Sequence, residues 1–355
     1  MADAHTKDPD AARHLAAAQR GDATAFSALT EPYRRELQVH CYRILGSLHE
    51  AEDMVQETML KAWRRLDTYE GRASFRAWLY KIATNTCLDF LDQRRSRRLL
   101  PLDAGPPSDP DLPISPPSAE LTWLEPFPDE WLRDTAAVNP EARYSDLESI
   151  SLSFMAALQS LPPRQRAVLI LRDVLDFSAM ETAEVLAITV SSANSALHRA
   201  RATLAQRSQG QEFDPTSPAA PGDERTQWLL DHFVQAWQTA DVEGLVALLK
   251  EDATLAMPPS PSWYKGRQAI QMFLAATVFG DDGMFDGKAA GRWRLVRTDA
   301  NASPAFALYQ RGDEAEYRAF GLLVLRSGSD GLSQIISFID PSLPSRFDLP
   351  ESLKK

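Results

Sequence analysis

The sequence predicts a multidomain chain in which two all-α domains precede an α+β domain, and three observations predict it. At 355 residues the chain exceeds what one domain usually holds. Residues 11–98 and 148–207 carry apolar side chains at three- and four-residue spacing, and a segment rich in proline and acid separates them. Beyond residue 225 helical spacing gives way to apolar runs of strand length. The expected plan is a helical domain over 11–98, an acidic proline-rich linker over 99–147 and a second helical domain over 148–207. A linker over 208–224, an α+β domain over 225–342 and a tail over 343–355 complete it.

The first helical domain holds the most informative stretch, Ala51 to Arg98. Asp53, Gln56, Glu57, Leu60 and Arg64 recur at three- and four-residue spacing and so share one helix face. Val55, Met59, Ala62, Trp63 and Leu66 line the opposite face, which predicts an amphipathic helix with its charged stripe facing solvent or a partner. A polar loop follows over Asp67 to Ser74, with Gly71 as its flexible point. The next helix carries Phe75, Trp78, Leu79, Tyr80, Ile82, Leu88 and Phe90, more apolar bulk than one core stripe takes up. Phe75, Leu79 and Ile82 read as core. Trp78, Tyr80 and Asn85, beside Arg72, Arg76 and Lys81, read toward unpaired bases, where aromatic stacking is worth about 1–3 kcal/mol per base. The helix ends in Arg94, Arg95, Arg97 and Arg98, a run that neutralises phosphates without reading sequence.

The segments Ala51-Glu52-Asp53-Met54-Val55-Gln56-Glu57-Thr58, Ala62-Trp63 and Phe75-Arg76-Ala77-Trp78-Leu79-Tyr80-Lys81-Ile82-Ala83-Thr84-Asn85 resemble region 2 of bacterial sigma factors, nearest the extracytoplasmic-function group. The resemblance implies that Asp53, Gln56, Glu57 and Arg64 contact the clamp helices of core RNA polymerase. It also implies that the loop around Thr68, Tyr69 and Gly71 receives the extruded minus-ten base, with Arg76, Trp78, Tyr80, Asn85, Arg94 and Arg95 along the same DNA.

A formal net charge of −11 is unusual for a DNA binder, but between Pro101 and Glu148 eleven acidic residues stand against two basic ones. The excess therefore lies in the linker, and poor DNA affinity of the isolated chain is expected. Cys41 and Cys87 are far apart in sequence and give neither a disulfide framework nor a zinc site, which reads as a reduced, cytoplasmic protein. Residues 1–10 lack the apolar core of a signal peptide, and no apolar run reaches membrane-spanning length. Within the linker, Trp123-Leu124-Glu125-Pro126-Phe127-Pro128 is oddly apolar and partly matches a docking motif of sigma factors with extra carboxy-terminal domains. That match assigns Trp123 and Pro126 to docking.

In the second helical domain, Leu161-Pro162-Pro163 opens a buried helix. Ser178-Ala179-Met180-Glu181 reads as a capping box starting a short helix to about Leu186. A tight turn, Ala187-Ile188-Thr189, leads to a helix expected to bury Val190, Ala193, Leu197 and Ala200 and to present Ser191, Ser192, Asn194, Ser195, His198 and Arg199. This is a helix-turn-helix pattern, whose second helix would lie in a major groove. Following the region-2 resemblance in order, it is similar to sigma region 4, which implies minus-thirty-five contacts for those six residues. An alanine stands at 187 where the family usually has glycine, and Asn194 and Ala196 stand where basic residues are frequent, so weaker or different minus-thirty-five binding is expected.

After residue 224, Trp228, Leu229, Phe233, Ala236 and Trp237 share a helix face, Val242 to Leu249 suggests a second helix, and Asp252 to Met257 alternates as a strand. Ser262 to Ile270 is expected to begin another helix, and strands follow over Trp293–Thr298, Ala305–Gln310, Tyr317–Leu325 and Leu332–Ile339. The Trp-Tyr-x-Gly-Arg-x-Ala-Ile segment after Met257-Pro258-Pro259 resembles the cone-shaped SnoaL-like fold shared with nuclear transport factor 2. The resemblance implies a pocket, for which Trp237, Trp263, Tyr309 and Phe338 are candidates with Met257, Phe273 and Phe320. Asp231, His232, Asp241 and Asp340 form no catalytic pattern, and no metal-ligand spacing is present. The expected function is an alternative sigma factor, not an enzyme and without cofactor, whose third domain modulates it in cis. Core RNA polymerase and promoter DNA are the expected partners. A pocket ligand and an anti-sigma protein stay open, as do an isomerase or hydrolase fused to a DNA-targeting module and a ligand-responsive helix-turn-helix regulator.

Overall fold

The computed structural model describes residues 9–94, 97–118, 120–133, 147–210, 224–280, 288–312, 316–328 and 330–354. They form two compact units, and chain order does not follow unit order: one unit comprises residues 1–98 and 130–213, the other 99–129 and 214–355. Residues 99–129, the larger part of the linker, thus belong to the carboxy-terminal unit rather than forming an irregular connector. The buried Leu100, Leu124 and Phe127 explain why: enough apolar surface recurs among the prolines to be worth burying.

The first unit is helical. Helices α1 (Pro9–Gln19), α2 (Ala23–Leu45), α3 (Leu48–Arg64) and α4 (Phe75–Arg94) form a bundle whose core holds Leu37, Ile44, Leu48, Val55, Leu79 and Cys87. Gly46 ends α2 at φ 73, and its N–H donates to Tyr42 O at 2.7 Å, a left-handed cap suited to a residue without Cβ. Ser47 then caps α3 by accepting from Glu50 N. The sequentially distant Cys41 and Cys87 meet inside this core, where burial pushes the Cys87 thiol up and a hydrogen bond with Cys41 adds to the shift.

His40 is fully buried between α2 and α4, with its Nε2 2.8 Å from Thr84 Oγ1. The single Thr84 hydroxyl proton goes to Tyr80 O at 2.7 Å, so Nε2 carries the proton given to Thr84 and Nδ1 is a bare lone pair. Burial, with Arg43 and Arg76 nearby, lowers the His40 pKa to about 3.

Helices α5 (Leu152–Gln159), α6 (Pro163–Leu169), α7 (Ala179–Val185) and α8 (Val190–Gly210) follow in the same unit, with a π turn over Ile170–Val174 after α6, and the short helix Glu130–Arg133, whose Trp131 ring lies 4.1 Å from the Arg35 guanidinium, precedes them. The capping box at α7 is present in both directions: Glu181 N donates to Ser178 Oγ at 3.2 Å, and Ser178 N donates to Glu181 Oε2 at 2.7 Å. These bonds hold the Glu181 carboxyl below its ordinary range. The α7–α8 turn closes with Ile188 N on Ala183 O and Ala187 N on Glu184 O, which requires a left-handed residue at 187. Ala187 supplies it at φ 51, a conformation that a glycine would adopt without a Cβ clash.

The second unit opens with α9 (Glu224–Thr239) and α10 (Val242–Ala247), and α11 (Arg267–Phe273) continues into a π turn over Leu274–Val278. Strands β1 (Leu249–Ala256), β2 (Trp263–Lys265), β3 (Trp293–Ala300), β4 (Ser303–Arg311), β5 (Tyr317–Gly328), β6 (Gly331–Phe338) and β7 (Ser352–Leu353) make one sheet ordered β2-β1-β6-β5-β4-β3, with β7 on β5. The sheet is mixed, because β1 pairs with β6 in parallel while the other pairings are antiparallel. Ser262 to Lys265 does not begin a helix: Trp263 and Tyr264 pair with β1, and Gly266 at φ 89 turns the chain before α11 starts. Trp228, expected on the apolar face of α9, is half exposed and lies 4.0 Å from the His232 ring.

Two outcomes follow from these local features. The folded pKa of His40 lies below its unfolded 6.5, so its contribution is full above pH 6.5 and is lost as pH falls toward 3. Urea unfolding at pH 4.5 should show a loss of about 2–3 kcal/mol relative to pH 7.5, and His40→Phe should remove that part of the acid dependence. Ala187→Gly should raise the urea midpoint, with a gain of up to about 1 kcal/mol, because relief of the left-handed alanine outweighs the added chain entropy.

Candidate functional site

The packing of α3 sets its outer face. Asp53, Gln56, Leu60 and Arg64 are exposed and Glu57 is half-buried, while Val55, Met59 and Ala62 are buried and Trp63 packs its ring 5.1 Å from Phe26. His49 lies 3.8 Å from Asp53, and Lys61 lies 3.6 Å from Glu57. Leu60, at 51 % exposure, is an apolar side chain in the middle of this polar stripe.

The expected minus-ten residues separate into a cleft and a core. Thr68, Tyr69, Glu70, Arg72, Trp78 and Lys81 line one wall of a solvent-open cleft of about 640 Å3, and Gly71 turns the loop at φ 71. The opposite wall comes from α7, through Met180, Glu181, Glu184 and Val185. Asn85 is turned toward the same helix: its Nδ2 donates to Lys81 O at 2.8 Å and to Val185 O at 3.1 Å.

Tyr80 does not stand out for base stacking. It is 1 % exposed, its hydroxyl lies 3.3 Å from Glu36 Oε2, and burial pushes its phenol well up. Arg76 is drawn into the same network, donating to Glu36 at 2.9 Å and lying 4.7 Å over the Tyr80 ring. Tyr69 is also buried, with its hydroxyl donating to Ala73 O. Sequence spacing gave no sign of this, because the acid that recruits Arg76 and Tyr80 is on α2. Of the terminal arginine run, Arg98 is half-buried and paired with Glu50 at 2.7 Å, so it is not free for phosphate. Arg94 is described in its backbone only, and Arg95 lies outside the described residues.

In the helix-turn-helix, Ser191, Ser192, Asn194, Ser195, His198 and Arg199 are all exposed on α8 while Ala193, Leu197 and Ala200 are buried. Val190, expected inside, is 42 % exposed because it begins the helix and has no preceding turn to pack on. The base of this region is fixed by Arg166, which sequence reading missed. Its guanidinium is buried and donates to Ile44 O at the end of α2, to Gln159 Oε1 at 2.6 Å, to Gln159 O and to Leu161 O. Burial lowers its pKa to about 9, so it remains charged at neutral pH.

The linker is stitched along the second unit at three places. Trp263 Nε1 donates to Gly105 O at 2.9 Å, and Ser108 N donates to Trp263 O at 2.7 Å. Farther along, Ser115 N donates to Ser262 Oγ at 3.0 Å, and Ser260 Oγ donates to Ser115 O at 2.8 Å. The third is the apolar motif: Phe127 N donates to Asn301 Oδ1 at 2.7 Å, Asn301 N donates to Phe127 O at 3.0 Å, and Asp129 accepts from Ala302 N. Asn301 and Ala302, at φ 53 and 59, form the two-residue turn between β3 and β4. Leu124 and Phe127 are fully buried and Pro126 is buried, whereas Trp123 is only half-buried. The apolar anchor is therefore centred past Trp123.

A cavity of about 370 Å3 lies within the second unit. Trp237 lines it, as do Met257, Phe273 and Phe320. Trp263, Tyr309 and Phe338 do not. Leu308 and Ser337 line the cavity, so alternation along β4 and β6 turns their neighbours Tyr309 and Phe338 to the other face, where the Tyr309 hydroxyl donates to Pro350 O. Trp263 instead grips the linker. Asp231, His232, Asp241 and Asp340 are exposed and none lines the cavity. Among the described residues no helix is long and apolar enough to cross a membrane, and no group of three or more His, Cys, Asp or Glu is placed to hold a metal.

Comparison with known proteins places both helical segments. Residues 29–97 match Sigma-70 region 2, and residues 151–204 match Sigma-70, region 4. The chain is 42 % identical over 345 residues to the ECF RNA polymerase sigma factor SigG of Mycobacterium tuberculosis, covering 96 % of this chain and 87 % of that one. SigW of Bacillus subtilis, also an ECF RNA polymerase sigma factor, is 27 % identical over 186 residues, which is 52 % of this chain and 90 % of that protein. The crystal structure of the Mycobacterium tuberculosis extracytoplasmic function sigma factor SigJ is similar in fold over 90 % of this chain and 97 % of that chain, with 20 % identity and a TM-score of 0.52.

Asn301→Ala should loosen the linker. Loss of the Phe127 acceptor, worth about 1–2 kcal/mol, should speed chymotryptic cleavage within residues 99–129 about tenfold, while the thermal transition of the second unit shifts by only a few degrees.

Proposed function

We propose a division of labour on one premise: the chain belongs to the extracytoplasmic-function RNA polymerase sigma factors. It binds core RNA polymerase and directs promoter recognition and opening, and the polymerase carries out the nucleotide chemistry. At residue level, Asp53, Gln56, Glu57 and Arg64 form the polymerase contact, with Leu60 as an apolar anchor among them. The observation that carries this reading is the exposure of that stripe on a helix whose other face is core. Trp78, Thr68, Gly71 and Arg72 take the minus-ten DNA, and the six exposed side chains of α8 take the minus-thirty-five DNA.

In the free chain the minus-ten cleft is also walled by α7, and Asn85 is bonded to that helix. Glu181 and Glu184 stand there where phosphates would lie, so DNA enters only after region 4 moves off region 2. The carboxy-terminal unit modulates this step in cis because it holds the connector that joins the two regions. A catalytic role for that unit is not supported: the described residues lining its cavity include no carboxylate or imidazole to act as acid or base.

The test is run-off transcription with core polymerase and a promoter selected from DNA co-purified with the holoenzyme. Promoter-specific transcript is expected from the full-length chain. Asp53→Lys should weaken core binding by at least about tenfold (~1.4 kcal/mol) without altering the thermal transition. Failure of the full-length chain to give a specific transcript overturns the reading.

A further inference from the structure

We propose that the carboxy-terminal unit is a receptor for a neutral, mainly apolar small molecule bearing a hydrogen-bond acceptor, and that the molecule seals against the connector between the two sigma regions. Four observations lead there. The cavity's volume of about 370 Å3 lies in the range, roughly 300–1,000 Å3, in which small-molecule sites fall. Its described lining is dominated by Leu255, Met257, Phe273, Leu308, Phe320 and Ile335, with no charged side chain, so an ionic ligand would lose its hydration with no counter-charge to replace it.

The polar groups on the wall are few, and several are already committed. Thr277 Oγ1 donates to Phe273 O, and Ser260 Oγ donates to Ser115 O while accepting from Ser262 N. The indole of Trp237 differs. Trp237 lines the cavity at 3 % exposure, packed by Phe233 and Phe279 at 5.4 and 5.3 Å, and its Nε1 has no hydrogen-bond partner. A buried donor left unpaired costs stability that a ligand oxygen recovers. A carbonyl or ether oxygen on an otherwise apolar frame fits that requirement.

The fourth observation gives the ligand a consequence. Ile114, Ser115, Pro116 and Pro117 form part of the cavity wall, and they belong to the connector, not to the body of the domain. Ser115 is pinned there through its backbone by Ser260 and Ser262, and Ile114 packs on the core. A bound molecule adds apolar contact to this strip and holds it down, whereas departure of the strip opens the site. Ligand affinity and connector docking are therefore reciprocal. The binding itself does not depend on the transcription reading. Only its regulatory consequence does.

The probe is prodan, a neutral naphthyl ketone whose emission shifts to the blue in apolar surroundings, titrated into the full-length chain without polymerase. Saturable one-to-one binding with blue-shifted emission is expected. The neutral ketone 2-acetonaphthone should displace it, and the anion 2-naphthoate should compete at least about tenfold more weakly. Trp237→Phe should weaken prodan binding about tenfold, Ile114→Ala about threefold, and Ser337→Phe, which fills the cavity from β6, should abolish it with the thermal transition retained. Absence of saturable binding overturns the proposal. So does binding indifferent to both Trp237→Phe and Ser337→Phe, or equal competition by the naphthoate. Because no transcript is read, these outcomes leave the sigma-factor reading untouched.

Discussion

The exchange of hydrogen bonds between Phe127 and Asn301 is the constraint on which the arrangement of this chain turns. It joins the connector to the β3–β4 turn in both directions, N–H to side chain and N–H to carbonyl. Asn301 has no exposed surface, so neither bond competes with water. Much of this stitching uses backbone groups, at Gly105, Ser108, Ser115 and Phe127, and backbone docking tolerates changes in the docked sequence while fixing its path. The connector consequently behaves as part of the carboxy-terminal unit, although in sequence it lies between the two regions that meet DNA and polymerase.

Buried polar side chains perform the corresponding task within the helical unit. Arg166 reaches from α6 to the Ile44 carbonyl near the end of α2, and Arg43 of α2 reaches Ser149 Oγ at 2.5 Å. Each is a charged group taken out of water that reaches at least one oxygen more than a hundred positions away in the chain. Such contacts are directional, and losing one partner leaves a charge or a carbonyl stranded. An interface built this way holds one arrangement firmly and has little preference for a slightly displaced one. That property suits the proposed separation of region 4 from region 2.

Much of this was legible from local pattern. The amphipathic split of α3, the Ser178–Glu181 capping box, the exposed face of α8 and the four long strands near the end all follow from spacing or cap chemistry. What was not legible depended on partners far away in sequence. Tyr80 and Arg76 look like a DNA-facing pair until Glu36, on another helix, draws them inward. Trp263, Tyr309 and Phe338 look like pocket residues until strand register is known, because a shift of one residue changes the face of every side chain. The linker looks irregular because its prolines exclude regular structure, yet its bonding partners lie about 145 to 174 positions away. Asn85 reads toward unpaired bases from its place beside Trp78 and Lys81, and nothing local shows that it bonds to the Val185 carbonyl.

Trp131 follows the connector directly and belongs to the first unit. The Arg35 guanidinium sits 4.1 Å over the Trp131 ring, and the short helix Glu130–Arg133 packs with region 2 in the first unit. Between Arg133 and Leu147 the covalent path is thirteen residues, whose fully extended reach is about 45–50 Å. While Trp131 stays in place that length is a leash: it limits how far region 4 can swing from region 2, whatever DNA or polymerase is offered. Undocking of Trp131 and Leu132, both buried, would lengthen that path back to Asp129, so the packing of one four-residue helix bears on the span available to the two DNA-reading regions.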